Sequence, residues 1–374
     1  MNLFIPELGK RRQGKVRDIY EGDHTLTLIA SDRVSIFDLI LHETIPDKGR
    51  ILTELSLFWF EQTRDIIPNH MISHPDPDVM IVKKCQAIPV EMIVRGFLVG
   101  SMWRDYALGK RTKCGVPLPD GLQENDPLPF PIITPTTKSH EGHDLDISAQ
   151  ELIDKGVVSK ELWERLSDIS LKLYQRGLDV VAKRGLILVD TKYEFGLDQD
   201  GQLILIDEIH TPDSSRYWYK EDLARKQIRF PDKEFVREWG RSQGFTGDGD
   251  IPHLPKEMIE RIRENYIKIY HTITGKTLDE QPKRLICNLR HEKLIKGYFC
   301  ALQVDDDRVK KVLDEHQIPY QVIESFEEID QSIEPVVILG ETKPKTKWPF
   351  IKIGENPEEA AYEAIKRLRN MEVP

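Results

Sequence analysis

Residues 186–208 read LILVDTKYEFGLDQDGQLILIDE, two apolar runs joined by a turn rich in glycine and aspartate. The pattern is that of a β-hairpin whose strands need a core on at least one side. Yet Asp190, Glu194, Asp207 and Glu208 lie in or beside those runs. Alternate side chains of a strand share a face. Asp190, Lys192 and Glu194 therefore line one face, and Val189, Tyr193 and Phe195 the other. A hairpin through Gly196–Gly201 returns Asp207 and Glu208 toward the start of the first strand. Carboxylates converging from adjacent strands are a means of holding Mg²⁺ beside a substrate phosphate. A lysine between them can neutralise a second anion. The plainer alternative is a solvated sheet face with an internal ion pair. Charge in strands this apolar is costly without a compensating metal or ligand, which favours the metal reading.

The length, 374 residues, suggests two or three domains at ~100–200 residues each. A net charge of −10 argues against non-specific nucleic-acid binding and leaves room for a local basic pocket. The cysteines, Cys85, Cys114, Cys287 and Cys300, form no CxxC pair, so neither a zinc site nor a disulfide framework is expected. Reduced thiols, an N-terminus without the apolar run of a secretory signal, and no stretch near ~18 apolar residues together predict a cytoplasmic protein without membrane contact.

Residues 16–45 alternate like one small antiparallel sheet. Residues 53–67 have helical spacing ended by Pro68, and 83–101 read as a buried strand closing in a Gly-Ser loop. Residues 110–150 hold six prolines between 117 and 135 and read as a long irregular loop of the functional or disordered kind. Ser159 caps a helix that Gly185 ends, and further helices are expected over 232–243 and 256–270. After Gly275 the texture becomes that of a small α/β module. Its strands are expected near 283–289, 320–323, 336–339 and 350–353, and its helices over 308–316 and 357–369.

Three more segments carry chemistry. TPDSSRYW (211–218) is a turn supplying Asp213, two hydroxyls and Arg216, a side chain suited to bidentate phosphate or carboxylate recognition. IPVEMIVRGFLVGS (88–101) places Glu91 and Arg95 in an apolar run. There the arginine needs an anionic partner, either a ligand or Glu91 itself. In QGKVRDIYEG (13–22), Gly14 permits close backbone approach and Lys15 can reach a phosphate. No P-loop or GxGxxG is present, and His140–His143 has the wrong spacing for a zinc motif. Tyr217–Trp218–Tyr219 reads as packing.

In these segments, with SDRVSIFD, IPDKGRILTELSLFWF, TPTTK, LVDTKYEFG and DEIHTPDSSRYW, the chain resembles the SAICAR synthetase (phosphoribosylaminoimidazole-succinocarboxamide synthase) family, in its longer form. The segments follow the family's order from about residue 8 to 272, and 275–374 lie outside its core. The resemblance implies ATP-dependent joining of L-aspartate to 5-amino-1-(5-phosphoribosyl)imidazole-4-carboxylate in purine biosynthesis. The products would be the succinocarboxamide, ADP and phosphate, formed through an acyl phosphate. ATP and Mg²⁺ are the implied cofactors. By resemblance, Gly14, Lys15 and Arg17 belong to the ATP phosphate loop, and 83–91, with Lys84 and Glu91, to a linker touching adenine and ribose. Glu194 and Asp207 hold the metal, with Lys192 as the third catalytic residue. Arg95, Ser101, Asp213, Ser215, Arg216 and Arg237 bind the ribotide. Lys138 and His143 are placed in the aspartate pocket.

The expected fold class is α+β: a two-lobed SAICAR synthetase-like fold with a small antiparallel-sheet N-lobe and a larger α/β lobe, ATP lying between them, plus the C-terminal α/β module. The expected divisions are 1–90 (nucleotide-binding lobe), 91–274 (catalytic lobe with loop 110–150) and 275–374, the last a contact for a homo-oligomer or a pathway enzyme.

Overall fold

The computed structural model describes residues 3–4, 8–37, 39–137, 145–225, 228–229, 231, 233–278, 299–303, 306–315, 318, 320–323, 336–340, 350–353 and 356–369. The architecture is α+β. Two compact units divide the chain: 1–31, 71–82 and 279–374 in one, 32–70 and 83–278 in the other. The cuts differ from those expected at residues 90 and 274, for a reason visible in the sheets.

The first unit holds a five-stranded sheet in the order Lys10–Gln13, Arg17–Glu21, Thr25–Ala30, Val79–Lys83, Met71–Asp76. Residues 16–45 are therefore not one sheet. Arg33–Ile36 and Leu39–Thr44 pair only with each other and belong to the second unit. The first unit also contains the C-terminal segment, whose strands Phe299–Leu302, Tyr320–Val322, Val336–Gly340 and Phe350–Lys352 run parallel. The extended N-terminus adds the edge: Leu3 and Phe4 pair antiparallel with Gln321 and Tyr320. Helices Asp307–Glu315 and Pro357–Arg369 bury Val309, Leu313, Ala361 and Ile365 in one apolar cluster with Cys300, Leu302, Val337 and Leu339. The C-terminal segment thus shares its sheet with the start of the chain. The strand expected near 283–289 lies outside the described residues, while Phe299–Leu302 was not foreseen.

The second unit is built on a seven-stranded sheet. At its centre the strand Gln86–Phe97 lies antiparallel to Leu186–Leu197. Leu203–Ile206 and Ser215–Tyr219 both pair with the far side of Leu186–Leu197. The Pro-rich segment is not irregular throughout: Pro127–Ile133 pairs with Gln86–Phe97. Proline lacks an N–H and is tolerated at such a position, on an edge strand. Nor does 83–101 end in a loop, because Gly100 opens the helix Gly100–Ala107 with φ of 59°. The helix Lys160–Ala182 starts where Ser159 accepts a bond from the Leu162 N–H at 3.1 Å, satisfying one of the orphan donors of a helix start. Its Leu166, Leu173 and Val181 are buried, as are Val189, Tyr193 and Phe195 on the apolar face of the hairpin. No helix of the described residues is long and apolar enough to cross a membrane.

Candidate active site

Register decides which charges meet. Glu194 lies opposite Glu91, and Asp190 lies between Arg95 on one neighbouring strand and Arg216 on the other. Like charges opposed across a ladder repel, so the Glu91–Glu194 pair requires a cation. Lys192, two residues along on the same face, provides it. Its Nζ donates to Glu91 Oε1 at 2.8 Å and to Glu194 Oε1 at 2.7 Å, and stands 3.9 Å from Asp207 Oδ2. Burial lowers the pKa of this lysine, but Glu194, Asp207 and Glu91 raise it more, so it stays charged. Thr136 donates to the other oxygen of Glu91 at 2.9 Å. Glu91, placed by resemblance beside the nucleoside, is thus a member of the lysine cluster.

The same face carries the second cluster. Arg95 is buried and donates through Nη1 to Asp190 at 3.2 Å and through Nε to Thr134 at 2.9 Å. Burial is the main influence on its pKa and lowers it; Asp190 works in the opposite direction. Arg216 donates to the same Asp190 oxygen from the other side. The φ of 59° at Gly100 favours glycine, and a Cβ there would stand 2.8 Å from Arg216 Nη2, so the guanidinium would have to shift. Ser101, the second residue of that helix, is half-buried. Arg237 reaches this region through Glu234, to which it donates at 2.9 Å.

Two expected ribotide ligands are engaged within the protein. Ser215 donates to Thr191 at 2.8 Å. The Asp213 side chain is buried, accepts from the fully buried Lys48 at 2.8 Å and from the Tyr266 hydroxyl, and stands 3.8 Å from Lys233. Burial would raise the Asp213 carboxyl, but Lys48 and Lys233 hold it well below the usual range. Lys233 is pushed down to about 8, chiefly by burial. Sequence reasoning missed Lys48 and Tyr266, because Lys48 meets Asp213 across a separation of 165 residues.

The segment from Asp207 to His210 is conformationally special. Both of its end residues have positive φ, 65° and 51°. Non-glycine residues in that region are held there by their surroundings and gather at functional sites. His210 is fixed from within the core: its Nε2 meets the Tyr193 hydroxyl at 2.5 Å, its ring lies edge-on to Trp59, and a Cβ on Gly177 would come 2.7 Å from its Cε1.

The remaining expected residues fall elsewhere. Gly14, Lys15 and Arg17 belong to the first unit, in the turn joining Lys10–Gln13 to Arg17–Glu21. There the Gly14 N–H donates to the Arg17 carbonyl at 2.7 Å, an oxygen that a Cβ on Gly14 would approach to 2.9 Å. Lys84 lies between the strands Val79–Lys83 and Gln86–Phe97. Lys138 and His143 lie outside the described residues.

Among the described residues no group of three or more His, Cys, Asp or Glu side chains is arranged as a metal cage. A magnesium site does not require one, since Mg²⁺ is commonly bound through one or two carboxylates, with substrate phosphates and water completing the shell. The hard oxygen donors of Glu194 and Asp207 fit that ion.

A lysine among three carboxylates beside an arginine–aspartate–arginine row, on one face of one sheet, defines an α+β enzyme that handles several anions at once. The sequence profile described as SAICAR synthetase matches residues 10–252. The phosphoribosylaminoimidazole-succinocarboxamide synthase of Flavobacterium psychrophilum is 48% identical over 73% of this chain and 90% of its own length. A SAICAR synthase from Saccharomyces cerevisiae, solved with SAICAR, superimposes with a TM-score of 0.66 at 34% identity, over 75% of this chain and 99% of its own. A SAICAR synthetase solved with ADP gives a TM-score of 0.58 at 28% identity, over 72% of this chain and 100% of its own. The chain belongs to the SAICAR synthetase family. It is an ATP-dependent ligase joining L-aspartate to the carboxylated aminoimidazole ribotide in purine biosynthesis.

Proposed function

We propose that Glu194 and Asp207 hold Mg²⁺ and that ligation proceeds through an acyl phosphate. The observation that carries this reading is Lys192, gripped by Glu91 and Glu194 with Asp207 close by. Three acids around one lysine leave an excess of negative charge suited to a divalent cation. Bound there, the metal would offset phosphate charge, which is most of what a phosphoryl-transfer site must do. In the first step an oxygen of the imidazole carboxylate attacks the γ-phosphorus and ADP leaves. In the second, the aspartate amine attacks the acyl carbon, phosphate departs, and the nitrogen loses its proton as the amide forms. Lys192 steadies the reacting carboxylate.

Gly14, Lys15 and Arg17 bind the ATP phosphates, and Lys84 and Glu91 lie along the nucleoside. Arg95, Ser101, Arg216 and Arg237 face the ribotide. Asp213 and Ser215, whose side chains are already hydrogen-bonded, fix the turn that presents Arg216. Lys138 and His143 are assigned to L-aspartate. The enzyme works in the cytoplasm. Residues 275–374 contact a second copy of the chain or a neighbouring pathway enzyme; the support is that the family match ends at residue 252 and the segment has an apolar cluster of its own.

The test is ADP release with ATP, Mg²⁺, L-aspartate and ribotide, each omitted in turn, for Glu194→Ala and Asp207→Ala. Both variants fold by circular dichroism and neither releases ADP. Retained turnover in either removes the metal assignment.

A further inference from the structure

Glu234 opens the helix Glu234–Ser242 and is buried, yet it was marked by no motif. Its carboxylate meets three guanidiniums. Oε2 accepts from Arg237 Nη1 at 2.9 Å and from Arg216 Nε at 3.4 Å, and Oε1 accepts from Arg241 Nη2 at 2.8 Å. Burial would raise its carboxyl, but Arg216, Arg237 and Arg241 hold it down to about 2. Arg216 is therefore gripped at both ends, by Asp190 at Nη1 and by Glu234 at Nε. The result is a continuous row: Arg95, Asp190, Arg216, Glu234, Arg237. It crosses from the central sheet to the helix Glu234–Ser242. Arg241 closes the end of the row and is also paired with the exposed Glu238.

The row contains three guanidiniums and two carboxylates. Exposure is graded. The side chains of Arg95, Asp190 and Glu234 are 7%, 6% and 9% exposed, while Arg216 and Arg237 are 21% and 27% exposed. Acids and the inner arginine lie below, and two arginines reach the surface. Arginine loses considerable side-chain freedom when fixed. A carboxylate holding two arginines before an anion arrives removes that cost from the binding step.

We propose that Glu234 is a positioning residue for the ribotide phosphate, holding Arg216 and Arg237 in one fixed arrangement so that together they receive the phosphomonoester. This rests on the reading above that Arg216 and Arg237 face the ribotide. Glu234 does not touch substrate. It acts through the two arginines, joining a strand residue to a helix residue 21 positions later.

The experiment is steady-state kinetics on the full chain with Glu234→Ala, Glu234→Gln and Arg216→Met, with melting temperatures measured alongside. Glu234→Ala raises the KM for ribotide at least tenfold, changes kcat less than threefold, and leaves the KM values for ATP and L-aspartate within twofold. Glu234→Gln keeps an acceptor oxygen but no charge and falls between Glu234→Ala and the parent. Inorganic phosphate, used as a competitive probe against ribotide, weakens in the same order. Should Glu234→Ala fail to fold, Glu234→Gln decides: a ribotide KM raised threefold or more by itself supports the proposal, and an unchanged one overturns it. Equal movement of all three KM values also overturns it, since that is what a merely structural residue would produce. Arg216→Met separates the two readings. An unchanged ribotide KM there removes the ribotide assignment of Arg216. A raised KM in Arg216→Met with none in the Glu234 variants removes only the positioning role.

Discussion

Glu91 and Glu194 face each other across two antiparallel strands, and the Lys192 ammonium holds both, at 2.8 and 2.7 Å. The arrangement turns a repulsive cross-strand pair into a charged site, and it sets what removing the lysine does.

In Lys192→Met the carboxylates of Glu91, Glu194 and Asp207 lose their shared cation. Removing one partner of a buried ion pair costs about 3–5 kcal/mol. Lys192 is partly exposed, with 28% of its side chain accessible, so water screens the loss and the expected cost is about 2 kcal/mol. Denaturant unfolding in chelator measures it. Magnesium added to the variant restores more stability than it adds to the parent, because a divalent ion can take the vacated charge role. Equal magnesium effects in the two proteins would count against metal binding at these acids.

His210 gives a pH dependence of defined sign. It is buried without charge, and burial pushes its pKa down to about 3, whereas an unfolded histidine titrates near ~6.5. Between those values the unfolded chain binds a proton that the folded chain refuses, so stability falls as pH falls. From pH 6.5 to pH 5 the loss from this residue is about 2 kcal/mol. His210→Gln, which does not titrate, lacks this component. Urea unfolding at both pH values compares the slopes, and identical slopes for the two proteins would show that His210 takes up a proton in the folded state.

Deleting residues 279–374 removes the strand partner of Leu3–Phe4 and part of the compact unit that contains the 10–31 sheet. The shortened chain melts lower, and amides of residues 17–30 exchange faster with solvent. Unchanged exchange there would mean that the segment contributes nothing to the N-terminal sheet. Comparing the masses of the two proteins in solution tests the proposed contact with a second copy, which requires the full chain to be heavier than one protomer and the shortened chain to lose that association.

Much of the site was legible in the chain. Alternation put Asp190, Lys192 and Glu194 on one face, and the structure brings Lys192, Glu194 and Asp207 together as the hairpin requires. The Ser159 cap and the glycine end at Gly275, with φ of 75°, follow from local chemistry, whereas the helix after Ser159 ends at Ala182 with Lys183 as its cap, two residues before Gly185. The errors came where local signals compete with long-range pairing. Six prolines between 117 and 135 read as an irregular loop, yet Pro127–Ile133 is held as an edge strand. Residues 33–44 alternate like their neighbours, yet Arg33–Ile36 and Leu39–Thr44 pair outside the N-terminal sheet.

The sequence by itself determined the strand periods, the helix caps, the apolar faces and the stock of charged side chains, because each depends on residues a few positions apart. Only the tertiary structure decided which charges became partners. Lys192 and Glu91 are 101 residues apart, Arg95 and Asp190 are 95 apart, and Lys48 and Asp213 are 165 apart. Those meetings are set by strand register and packing, which the whole buried core selects together. A shift of one residue between the strands would turn Glu91 and Arg95 away from Lys192 and Asp190, to the opposite face.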